Sequence, residues 1–316
     1  MAMLALLSAV LTCGAIGYAR ARKLYDLPGE RRSHTIATAR GGGIAIVLVA
    51  LTALAVAAVQ LPQWRGHIAV FGLGLLAVAG IGWWDDHRPL SARVRLYVHV
   101  GASLLLAGLA LRITQSPLIA LCGFALSVCL INVWNFMDGI NGIAASQAAL
   151  VGVGFALLLP WPLSLPGWVL AAACLGFLPF NFPRARIFMG DVGSGALGYL
   201  VAGVWVFTAA HMQNSLVALA LPLVAFLGDA GLTLLRRVWA GERITQAHAQ
   251  HLYQRLTQCG CSHAFVTTAY FVFTLLAIFF MHYLSDNSLL VQLGGFSVFS
   301  LAAIACWTWL AKGVRR

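Results

Sequence analysis

The chain has 316 residues, 61% of them hydrophobic and 9% charged, and its mean hydropathy is +0.87. A water-soluble domain carries about 25% charged residues, so this composition excludes one and points to a polytopic membrane protein. Twenty Lys and Arg against nine Asp and Glu leave a net charge of +11. In so apolar a chain that excess belongs in short loops facing one aqueous phase, which argues against a nucleic-acid binder.

A spanning helix needs about 20 mostly apolar residues. In chain order, eleven segments qualify or come close: 2–19, 41–60, 67–82, 96–113, 116–134, 146–160, 167–182, 194–211, 215–235, 264–285 and 290–311. The expected fold is an all-α polytopic transmembrane bundle forming a single domain over 1–316. The span count is ten if a short segment such as 146–160, closed by Pro160, Trp161 and Pro162, is tilted or re-entrant. The first segment has its charges (Arg20, Arg22, Lys23) behind it rather than in front, unlike a cleavable signal peptide. Seven cysteines follow no framework spacing and imply no disulfide scaffold.

Positive residues near helix ends stay in the cytoplasm. With the N-terminus outside and the C-terminus inside, 18 of the 20 Lys and Arg fall in cytoplasmic connections, leaving Arg65 and Arg112 on the other face. The acids follow: Asp26, Glu30, Asp85, Asp86, Asp138, Asp191 and Glu242 lie in or beside the same connections. Asp229 lies about two turns inside the helix that ends there, and Asp286 faces away. A chain this poor in carboxylates is thus expected to build a polar site on the inner surface.

Four motifs carry chemistry. Asp85 and Asp86, at the cytoplasmic end of the third segment, repel each other unless a cation or proton intervenes. Such oxygen ligands suit Mg²⁺ or Mn²⁺, though an isolated pair fits a solvated helix end equally well. In 132–142, Asn132, Asn135, Asp138 and Asn141 interrupt an apolar run beside Gly139 and Gly142; intramembrane polar clusters are functional by default, the alternative being polar contacts that only join helices. In 181–195, Arg184 and Arg186 precede Asp191 in a Gly/Ser stretch that opens a helix. Exposed N–H groups at that helix start can cradle phosphate while Asp191 holds a metal, the alternative being a Gly-rich turn that only lets helices pack tightly. The last motif sits in the one sizeable hydrophilic loop, cytoplasmic 236–262, where His248 and His251 lie one helical turn apart and fit either a phosphate or metal site or a plain surface.

Carboxylates for a divalent cation, arginines and glycines for phosphates, and a body within reach of lipid describe phosphoryl transfer between a nucleotide and a lipid acceptor. At this point the chain resembles the polyprenyl-phosphate N-acetylhexosamine-1-phosphate transferases of glycosyltransferase family 4, relatives of the phospho-MurNAc-pentapeptide transferase. The resemblance rests on Asp26-x-Pro28-x-x-Arg31-x-x-His34 with Arg40-Gly41-Gly42-Gly43, Asp85-Asp86, and Asn135-x-x-Asp138-Gly139-x-x-Gly142. It continues through Phe188-x-Gly190-Asp191-x-Gly193-Ser194 and the loop from His248 to Arg255.

The resemblance implies that Asp191, with Asp85 and Asp86, ligates Mg²⁺ or Mn²⁺, and that Asp138 and His251 join these acids as catalytic residues. It implies that Phe188 stacks on uracil with Asn181 and Asn141 near the base edge. It further implies substrate contacts from Arg31, His34, Arg40, Asn135, Gly190, Ser194, His248 and Arg255. Asn141 stands where the family often has Asp, Ala39 where it has Pro, and Tyr253-Gln254 where it has a further His pair. The Arg-Gly-Gly-Gly and His-x-x-His-x-Tyr-Gln patterns resemble the branch that starts O-antigen or similar surface polysaccharides.

The expected reaction moves an N-acetylhexosamine 1-phosphate (GlcNAc, FucNAc or QuiNAc) from a UDP-sugar to undecaprenyl phosphate with release of UMP. It takes place at the cytoplasmic face of a bacterial inner membrane, and related enzymes suggest a homodimer. The runner-up is a secondary transporter for a nucleotide sugar or other anion. Transporters hold their polar site near the midplane between repeated halves, and this chain has its motifs at one rim and no internal repeat. An intramembrane prenyltransferase needs two Asp-rich repeats, and only Asp85-Asp86 form a pair.

Overall fold

A computed structural model describes residues 1–27, 36–243, 246 and 248–313. Arg31 and His34 lie outside the described residues. Where an apolar run leaves water, its backbone groups must bond within the segment, and the helix is the form that does this. Each of the eleven apolar segments is accordingly helical: α1 (Ala2–Ala21), α2 (Ile44–Gln60), α3 (Arg65–His87), α4 (Ala92–Thr114), α5 (Pro117–Met137), α6 (Ile143–Leu157), α7 (Leu165–Asn181), α8 (Asp191–His211), α9 (Val224–Trp239), α11 (His263–Ser285) and α12 (Leu289–Gly313). A twelfth, short helix, α10 (Leu252–Gln258), lies between α9 and α11.

Among the described residues, eight stretches are long and apolar enough to cross a bilayer, while α2, α6 and α7 are shorter. The 15 residues of α6 rise about 22 Å, less than the roughly 30 Å of hydrocarbon. The 215–235 segment is not one uniform helix. It begins as 3₁₀ turns over Ala218–Leu223 and becomes α9 just after Pro222, whose missing N–H cannot bond back into a helix. The 236–262 stretch is likewise less of a loop than its polarity suggests, because α9 runs on to Trp239 and α10 fills part of the rest.

The core sits around α8, whose apolar window is 94% buried, against 11% for α12 at the periphery. α8 packs on α3, α4 and α5, while α7 packs on α1 and α6, and α11 reaches α6. One feature departs from an all-helical reading. Tyr25–Asp26 pairs antiparallel with Thr38–Ala39, and Ala39 bridges in parallel to Ile187. Backbone bonds from Phe188 N to Ala39 O (2.7 Å), Gly42 N to Phe188 O (2.9 Å) and Gly43 N to Met189 O (2.8 Å) then seat the Arg40–Gly43 segment beside the start of α8.

Candidate active site

Asp85 and Asp86 close α3, Arg95 stands in the first turns of α4, Asn135 in the last turn of α5, and Asp138 just past its end. Asp191 opens α8, and Arg40 directly follows the Thr38–Ala39 strand. Two arginines tie three of these acids together. Arg40 Nη2 lies 2.6 Å from Asp191 Oδ1 and its Nε 2.7 Å from Asp86 Oδ1. Arg95 Nη1 is shared between Asp191 Oδ2 (2.7 Å) and Asp85 Oδ2 (2.9 Å). Asn135 Nδ2 reaches the same Asp191 oxygen at 3.4 Å. Burial works against the Arg40 charge, but the Asp86 and Asp191 carboxylates outweigh it and raise its pKa above the usual value.

The two adjacent acids differ in task. Asp86 accepts from Asp191 N (2.9 Å) and Val192 N (3.1 Å), so it caps α8 from a different helix. This corrects the expectation that free N–H groups at the α8 start cradle phosphate, since the next two, Gly193 N and Ser194 N, bond to Gly190 O. Asp85 accepts from Leu90 N at 2.6 Å and from Arg95. Gly190 makes the approach possible: its φ is +76°, and a Cβ there would meet Asp86 Oδ2 at 2.6 Å and Gly41 N at 2.9 Å.

Asp138 is the fourth acid. Its carboxylate has no hydrogen bond or ion pair among the described residues, and it feels the charges of Asp191, Arg40 and Asp86. Burial first, then the neighbouring carboxylates, push its pKa well above the usual carboxylate range. Asp85, Asp86 and Asp191 outnumber the two arginines even without Asp138, and such a hard-oxygen donor set with an excess of negative charge fits Mg²⁺ or Mn²⁺. In the present arrangement the Asp191 oxygens are engaged by the arginines. Among the described residues, no three acidic, imidazole or thiol groups stand together at ligating spacing.

The other expected residues are placed as follows. Phe188 is half-buried, with its backbone bonded to Ala39 and Gly42. Asn141 Nδ2 donates to Pro183 O at 3.0 Å. Asn181 is buried, and both ends of its amide are spent on backbone, accepting from Gly142 N (2.8 Å) and donating to Ile187 O (2.9 Å). It therefore holds the loop that carries Asn141. Ser194 is buried in the first turn of α8.

His251 is buried, its ring 6.3 Å from that of Phe136, two residues before Asp138, and 4.9 Å from that of His248. Burial lowers both imidazole pKa values, that of His248 to about 4 with the help of His251 and Arg237. Arg255 is not brought to the acids: its Nη2 donates to Ala311 O in α12 at 2.9 Å. Nor does Arg186 reach them, since it stacks on the Phe180 ring at 4.8 Å.

Arg95 joins the site although the sequence marks it only as one loop charge among many. Its position in the chain does carry a signal. A cation in the first turns of a helix opposes the helix dipole, a placement that calls for an acidic partner.

Residues 68–209 match the family described as glycosyl transferase family 4. The chain is 31% identical to the decaprenyl-phosphate N-acetylglucosaminephosphotransferase of Mycobacterium leprae, over 83% of this chain and 78% of that one. It is 27% identical to the probable undecaprenyl-phosphate N-acetylglucosaminyl 1-phosphate transferase of Bacillus subtilis, over 75% and 71%. A third relative, the phospho-N-acetylmuramoyl-pentapeptide-transferase of a Synechococcus species, is 31% identical over 68% and 70%. With its apolar helices, its clustered acids and these relatives, the chain belongs to glycosyl transferase family 4, the membrane-embedded polyprenyl-phosphate N-acetylhexosamine-1-phosphate transferases.

Proposed function

We propose that the protein transfers an N-acetylhexosamine 1-phosphate from a UDP-sugar to undecaprenyl phosphate, releases UMP and so initiates a lipid-linked surface polysaccharide. GlcNAc is the first sugar to test, because two of the relatives above carry it in their names; FucNAc and QuiNAc follow. The observation that carries this reading is the Arg40–Asp191–Arg95 bridge with Asp85, Asp86 and Asp138 around it. Guanidinium forks match phosphate oxygens as well as carboxylates. An entering diphosphate therefore competes for Arg40 and Arg95, and Asp191 is relieved of its ion pairs as the arginines turn to the substrate.

Asp191, with Asp85 and Asp86, would then hold Mg²⁺, whose chemistry is to neutralise the diphosphate. The acceptor phosphate, with a second pKa of about 6, is largely dianionic at pH 7 and needs no strong base. One of its oxygens attacks the β-phosphorus in line, the bond from that phosphorus to the bridging oxygen breaks, and UMP leaves. Asp85 can take any residual proton. The protein contributes positioning and charge stabilisation. The site opens to the cytoplasm in this reading, and the membrane is a bacterial inner membrane.

The test is purified protein with undecaprenyl phosphate, Mg²⁺ and a panel of UDP-sugars, following UMP and the lipid product. Asp191→Asn is expected to lower UMP release by about 10²- to 10³-fold or more; substantial activity in that variant overturns the metal assignment. Trapping a phosphorylated, hydroxylamine-sensitive Asp would replace single with double displacement. Vesicle uptake of the UDP-sugar without UMP would replace the transferase with a transporter.

A further inference from the structure

Asp229 lies in α9, is 2% exposed and belongs to none of the motifs above. A carboxylate so enclosed needs compensating donors, and this one has five. It accepts from Leu252 N (2.8 Å), Tyr253 N (3.3 Å), the Tyr270 hydroxyl (2.7 Å), Trp307 Nε1 (3.0 Å) and the Thr233 hydroxyl (3.2 Å). The two backbone donors open α10, directly after His251. From there Tyr253, itself fully buried, sends its hydroxyl to Phe136 O at 2.8 Å. The next face is closed as well, because a Cβ on Gly139 would run into the same hydroxyl. Phe136 stands between Asn135, which donates to Asp191, and Asp138. One continuous set of contacts thus runs from Asp229 to the turn that carries two groups of the acidic site.

We propose that Asp229 is a positioning residue for this site, acting through Tyr253 to hold the Asn135–Asp138 turn, and His251 beside it, in the working arrangement. The proposal rests on the transferase reading above. Its rival is a scaffold role, in which Asp229 only fastens α9 to α11 and α12. The two donors Tyr253 and Trp307 separate these readings, because only the first reaches the turn.

The experiment compares Tyr253→Phe, Trp307→Phe and Asp229→Asn, the last as the variant most at risk of misfolding. The purified proteins are assayed with UDP-GlcNAc, undecaprenyl phosphate and Mg²⁺, with thermal midpoints and amide hydrogen exchange measured in parallel. Expected are a fall in kcat of about 10-fold or more for Tyr253→Phe and a rate within about twofold of wild type for Trp307→Phe. Exchange over 136–141 should quicken in Tyr253→Phe alone of these two. Tyr253→Phe and Asp138→Asn should also combine non-additively, as residues of one network do. Equal losses in Tyr253→Phe and Trp307→Phe, or unchanged exchange over 136–141 in Tyr253→Phe, overturn the proposal. If the wild-type protein releases no UMP from any donor, the transferase reading fails; the exchange comparison still decides whether Tyr253 holds the turn.

Discussion

Arg95 places one nitrogen between two carboxylates, 2.7 Å from Asp191 and 2.9 Å from Asp85. A lysine ammonium can bridge two carboxylates from one nitrogen as well, but it lacks the second guanidinium nitrogen with which Arg95 would take an entering diphosphate in a planar fork. Arg95→Lys is therefore expected to lower kcat/KM for UMP release by about tenfold and Arg95→Ala by about 100-fold, read in the same UMP assay. Equal activity in all three proteins would mean that the bridge has no part in turnover. Asp85, Asp86, Asp138 and Asp191 were legible as a group from the sequence, because carboxylates are scarce in an apolar chain and each stands beside a helix end. Their division of labour was not. That Asp86 caps α8 while Asp138 has no ion-pair partner among the described residues depends on which helix end meets which, and neighbouring letters do not carry that.

Helix α8 begins on a carboxylate lent by α3. Asp86→Ala removes this cap together with an ion pair to Arg40. A lost cap costs about 1 to 2 kcal/mol, so the variant should unfold at a lower temperature than wild type in the same detergent. An unchanged midpoint would show that the cap is replaceable.

The loop before α10 makes a different prediction. The His248 pKa lies near 4 in the folded protein, lowered by burial and by His251 and Arg237, against about 6.5 in an unfolded chain. The unfolded state therefore binds the extra proton between these values. Stability from this group is complete above about pH 6.5 and declines as the pH falls toward 4. Asp138, with its pKa raised by burial, works in the opposite sense. The clean measurement is thus the difference between wild type and His248→Gln, whose thermal midpoint should fall less steeply over that window. The helices themselves were legible segment by segment, because hydropathy is a local property. The exceptions were the 3₁₀ turns before α9 and the helix inside 236–262, where proline chemistry and the Asp229 anchor act.

Charge sidedness predicts topology. In a cysteine-free background, Arg184→Cys should react with a membrane-impermeant maleimide only from the cytoplasmic side, and Arg65→Cys only from the outer side. Labelling of both from one side would reverse or break the N-out, C-in order. The membrane class, the positions of the eleven apolar helices and the gathering of acids and arginines near the same connections can all be read from the chain's residues in order. Each of these follows from side-chain transfer energies and backbone satisfaction, which are local. The folded bundle alone brings Arg40 to an acid 151 residues away, joins Arg95 rather than Arg184 or Arg186 to it, and links Asp229 through Tyr253 to the Phe136 carbonyl. Such pairings depend on how the helices pack around α8, and packing is a property of the assembled bundle, not of any one of its segments.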